Sequence, residues 1–107
     1  MAVNVDGLVG AMTDAGRGLG GEIWSQMQGF AIPELKKIAI QVEAIAEHAH
    51  EITLETAQAL LRMQVNAAVA VIVAMTELTL LAVEQAINAI LDAVRDLVNG
   101  VVGIPLV

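Results

Sequence analysis

Residues 34–99 hold neither a glycine nor a proline. Those two residues are the strongest local breakers of regular structure, one through backbone freedom, the other through its fixed φ and missing N–H. A run this long without either predicts helix, and both of its ends carry helix punctuation. Pro33 suits a first helical turn, where its absent N–H is not needed, and Glu34 beside it favours the positive end of the helix dipole. Asn99-Gly100 reads as a stop, with Arg95 in the last turn and Pro105 beyond it. One unbroken helix over 33–100 would be roughly 100 Å long at about 1.5 Å per residue. That is too long for one compact domain of 107 residues. The expectation is therefore one very long helix in an oligomeric bundle or tube, or a helical hairpin.

Hydrophobic spacing divides the run into three zones. Leu35, Ile38, Val42, Ile45, Ala49 and Ile52 recur at intervals of three and four, a coiled-coil-like seam with Lys36, Lys37, Glu43, Glu47 and Glu51 off it. At the far end Val83, Ile87, Ile90, Val94, Leu97 and Val101 repeat the rhythm. Between them, 65–83 is apolar on every face, with Glu77 its sole charge. Residues 62–84 are long enough to cross a bilayer core of about 30 Å. Leu35, Ile38, Val42, Ile45 and Ile52 on one arm, and Val83, Ile87, Ile90, Val94 and Leu97 on the other, are thus expected at an interface of a homo-oligomer. Val69, Val71, Val73 and Leu81 are expected to meet lipid or the centre of the assembly. Glu77 is expected to face a partner or a lumen, because a carboxylate in hydrocarbon is costly, or to lie at the solvent face if the chain forms a soluble bundle.

The glycines crowd into the other end of the chain. All but Gly100 and Gly103 lie in residues 1–32, which read as a separate segment. A short amphipathic helix is expected from Val3 to Met12, a hinge over 14–21, and a second short helix from Glu22 to Ile32. Residues 101–107 form a short apolar tail. The first residues have no basic start and no adjoining apolar stretch, so no secretory signal is read there and synthesis in a cytoplasm is expected.

Composition narrows the function classes. Hydrophobic residues make up 57% of the chain, against about 45–50% in ordinary soluble domains, which points to oligomerisation or membrane contact. Small aliphatics suit close helix packing, whereas one Trp, one Phe and no Tyr are few for a ligand pocket or a base-stacking platform. A net charge of −7 repels phosphate backbones, so nucleic-acid binding is not expected. The chain has no cysteine, which removes disulfides and thiolate chemistry.

Few residues could carry chemistry. Glu43, Glu47 and His50 are the weak candidates for a metal, with Glu47 and His50 at the i, i+3 spacing of four-helix di-iron proteins. On a wheel of about 100° per residue they fall opposite the seam, which favours a solvated face, and no second Glu-x-x-His occurs. The glycine cluster 16–21 lacks the Lys-Ser/Thr of a phosphate loop. Trp24 and Phe30 suit packing onto the long helix, or an interfacial anchor. Ser25, the sole serine, has nothing to mark it as a nucleophile. No cofactor and no enzymatic activity are expected.

In layout and composition the chain resembles virion-packaged ejection or pilot proteins of bacteriophages: short, Ala/Gly/Val-rich, helical and without a signal. That resemblance implies a virion protein, carried in a particle with other virion or envelope proteins as partners, that assembles into a channel through the host envelope. Residues 55–60, Glu-Thr-Ala-Gln-Ala-Leu, are also similar in flavour to phasins, which coat storage granules. The expectation is a structural, membrane-active protein that self-assembles. The alternatives are a soluble helical-bundle oligomer or granule coat, and a ferritin-like metal oxidase.

Overall fold

Asn4 begins the first helix by accepting the Gly7 N–H on its side-chain oxygen at 3.0 Å, which satisfies one of the donors a helix start leaves free. In this computed structural model, which describes residues 4–107, five helices follow one another: α1 (Val5–Gly18), α2 (Gly21–Glu47), α3 (Leu54–Met75), α4 (Leu80–Ala93) and α5 (Arg95–Val102). No strand occurs among the described residues. Met1 to Val3, where the signal reading and the start of the first helix were placed, lie outside them.

The expected glycine hinge is mostly helix. α1 continues to Gly18, and the chain reverses at Leu19 and Gly20. Gly20 and Gly21 have φ of 68° and 72°, a region that costs a side chain but not glycine. Helix persists through Gly16 because that residue is buried against α2: a Cβ there would stand 2.4 Å from the Trp24 ring.

Pro33 does not start a helix; it lies inside α2. Interior proline costs about 3 kcal/mol, yet the buried row Trp24, Met27, Ala31, Leu35, Ile38, Val42 and Ile45 runs past it without a break. Each large apolar side chain on that row contributes about 1.5–3 kcal/mol when buried, so the row outweighs the proline. Gly29, whose carbonyl loses its partner at Pro33, is exposed, as is Pro33, and water can take the vacancy. Glu34 is consequently not at a helix start. It is 5% exposed and accepts from Lys37 Nζ at 3.0 Å.

The very long helix is also corrected. The run 33–100 breaks at 48–53, at 76–79 and at Val94. Threonines make the first two breaks. Thr53 accepts the Thr56 N–H at 3.1 Å to cap α3, and Thr79 accepts the Ala82 N–H at 3.1 Å to cap α4. Thr76 is extended, with φ −128° and ψ 176°. The stop is Gly103, with φ of 83°, not Asn99-Gly100, and Arg95 opens α5 rather than closing a long helix.

With these breaks the two seams meet inside one chain. α2 packs on α1, α3 and α5, and α4 closes against α1 and α3. Leu35, Ile38, Val42, Ile45, Val83, Ile87, Ile90 and Val94 are buried in the shared core, and Ile52 packs against it half-buried. These residues, expected between copies, therefore join parts of the same chain, and Leu97 alone of that set is exposed. The long axis is 40 Å, close to the length of α2 itself at about 1.5 Å per residue. The radius of gyration, 13.3 Å, is near the roughly 13 Å of a compact chain this long. The tail is strapped down: Asn99 Oδ1 accepts the Val107 N–H at 2.8 Å, Gln58 Nε2 donates to the Pro105 carbonyl at 3.2 Å, and Leu106 is buried.

Candidate functional site

α3 is the element the rest of the chain covers least. Its 22 residues bury Ala57, Leu61, Ala68, Val69 and Ile72 against the core. The opposite side leaves Ala59, Met63, Ala67, Ala70 and Ala74 exposed, Val71 flanks them, and Met75 is exposed where the helix ends, in line with the buried row. Met63 is 67% exposed and Met75 56%, large values for side chains that gain by leaving water. By length and composition α3 is the one described helix apolar enough to cross a membrane, and only 22% of its most apolar window is buried.

Charge frames this face. No ionisable residue lies between Arg62 and Glu77, and of the exposed side chains on α3 between them only Asn66 is polar. Both end residues are exposed. Beyond Glu77, in the first turn of α4, Leu80 and Leu81 are 55% and 63% exposed. The apolar zone expected over 65–83 is thus cut by the turn, and its members part company. Val69 is buried, Val73 half-buried, and Val71 and Leu81 exposed. Glu77 stands in a solvent-exposed connection rather than mid-helix.

Beside the face, α3, α4 and the tail enclose an open cleft of about 290 Å³. Leu61, Leu91 and Leu106 supply buried apolar wall, while Arg62, Asn66 and Asn88 are its exposed polar lining. Arg62 is the only ionisable side chain there. The cleft therefore offers hydrogen-bond donors without an acid–base pair.

The metal candidates do not assemble. Glu43 is half-buried on α2, Glu47 and His50 are exposed, and no three His, Asp or Glu group to hold a metal among the described residues. In the adjoining turn His48 Nδ1 and Glu51 Oε2 lie 3.0 Å apart, both exposed. Trp24 is buried between α1 and α2 and Phe30 is 38% exposed. Sequence reasoning treated 65–83 as apolar all round and so missed that α3 has one covered side and one bare side. The threonines that cap α3 and α4 carry the signal for the breaks at the two ends of α3, not for which side is bare. No protein-family model, characterised protein or solved structure matches the chain.

Proposed function

We propose that this is a structural, non-enzymatic helical protein that self-associates through the bare side of α3. The observation that carries this is an apolar helix face, free of charge from residue 63 to 76, on a molecule of net charge −7. Copies of so acidic a chain repel one another over most orientations. A neutral apolar face is where approach costs least and where contact removes most apolar surface from water. Sedimentation tests this directly. The wild-type chain should form a defined oligomer whose mass falls on dilution, and Met63→Glu should sediment as a monomer. Its circular dichroism should not change, because Met63 makes little contact with the core. A wild-type chain that stays monomeric at every concentration overturns the reading.

A second reading is favoured by the length of α3. A 22-residue apolar helix matches a bilayer core of about 30 Å, so the same element can enter lipid once the bundle opens and releases its buried side. This is the membrane step that the ejection-protein resemblance requires, and carriage in a virion belongs to that proposal. An apolar granule surface would use the same face without opening the bundle. Flotation with liposomes separates these: co-flotation that survives high salt supports insertion, and protein that stays at the bottom of the gradient removes it.

A further inference from the structure

We propose that two copies pair α3 against α3 in antiparallel fashion, on a two-fold axis passing by Ala70, with Arg62 of each chain set against Glu77 of the other. This rests on the self-association reading and adds the partner and the register. Ala70 points away from the buried row of α3, at the centre of the exposed face. At about 1.5 Å per residue, Arg62 lies roughly 12 Å to one side of it. On the other side α3 ends at Met75, roughly 8 Å away, and Glu77 follows two residues on in the turn. A two-fold axis at Ala70 therefore brings each arginine to the end of the other chain's α3, beside the turn that carries its glutamate. Parallel pairing would set arginine against arginine and glutamate against glutamate, and like charges facing each other select against that arrangement.

Two further observations support the pairing. Among the described residues the ion pairs are Asp14–Arg17, Glu34–Lys37 and His48–Glu51, so neither Arg62 nor Glu77 is paired with another described residue. Alanine at positions 67, 70 and 74 keeps the centre of the face low, so the axes can approach to the near end of the usual 8–10 Å. In this register Asn66 of one chain lies against Ala74 of the other, a longer side chain beside a small one. The face is isologous, as a closed dimer requires. A helix side about 33 Å long and 10–15 Å wide gives on the order of 1,000 Å² in total, the low end of specific interfaces. The pairing is thus weak and sensitive to its end charges.

Charge reversal and cross-linking on the full chain test this. At low salt, Arg62→Glu and Glu77→Arg should each weaken dimerisation about tenfold in sedimentation equilibrium. The double variant R62E/E77R should return to within about threefold of wild type. The chain has no cysteine, so Ala70→Cys should give a disulfide-linked dimer on oxidation. Ala59→Cys should not, because antiparallel pairing places Ala59 far from its own copy. Cross-linking of A59C as efficient as that of A70C, or a double variant no better than the singles, overturns the register. A wild-type dimer unmoved by either reversal sinks this register alone. A wild type that never dimerises sinks the self-association reading together with it.

Discussion

Gly16 and Trp24 illustrate how tightly two neighbouring helices can be coupled by a single missing methyl. Any Cβ at Gly16 would collide with the six-membered part of the indole, 2.4–2.6 Å away. Gly16→Ala should therefore cost about 1–3 kcal/mol in urea unfolding, the usual range for an overpacked core site. Trp24→Phe removes the colliding atoms and also the Trp24 Nε1–H, which is buried without a hydrogen-bond partner. In the double variant the two losses should be clearly less than additive, which a double-mutant cycle reads as coupling. Additive losses would mean that the contact is not what limits residue 16. Glu34 makes a second residue-scale case. Its carboxylate is buried beside Lys37, which is itself more than half exposed. Lys37→Met should destabilise by about 1–2 kcal/mol by leaving that acceptor unmatched. Glu34→Gln/Lys37→Met should recover part of the loss.

Helix boundaries follow from a competition between local signals and burial. The three-and-four spacing of Leu35 to Ile45 and of Val83 to Val94 was legible in the sequence, and those residues do form the buried sides of α2 and α4. Pro33 sits in α2 because a continuous apolar row can run through a proline whose freed carbonyl faces water, and the glycines of α1 stay helical because Gly16 is buried against Trp24. The breaks at 48–53 and 76–79 were harder to read, since neither contains Gly or Pro. Their signal is a side-chain oxygen, and threonine in a helical stretch is ambiguous until its N–H partner is known. Thr76 shows this in one residue: its hydroxyl donates to the Ile72 carbonyl at 2.7 Å and accepts the Leu78 N–H at 3.3 Å, closing α3 with one side chain. Thr79→Ala should cost about 0.5–2 kcal/mol, the range for loss of an N-cap. An unchanged midpoint would show that burial alone holds the turn. The bare side of α3 was only half legible, because periodicity cannot say which side of an all-apolar helix its neighbours will cover.

At the scale of the molecule, the fold is a long helical sequence doubled back until both of its apolar seams are buried in one core. Straightened, both seams would be left in water, and burying their eight fully covered members contributes on the order of 10 kcal/mol or more. That gain must exceed the helix hydrogen bonds given up at the breaks, most of which caps and water replace. Replacing 76–79 with four alanines removes the caps and favours continuous helix. Small-angle scattering should then show a radius of gyration well above 13.3 Å, with the α4 seam passed to a second chain; an unchanged radius would show that packing alone dictates the reversal. Opening the bundle and pairing through α3 are distinct events, and the solitary indole at residue 24 separates them optically. With one Trp and no Tyr in the chain, near-ultraviolet absorption and emission come almost wholly from one site sealed between α1 and α2. Its emission should shift to the red when α1 lifts away and stay fixed when intact molecules pair, so a cuvette experiment without dyes tells melting from association.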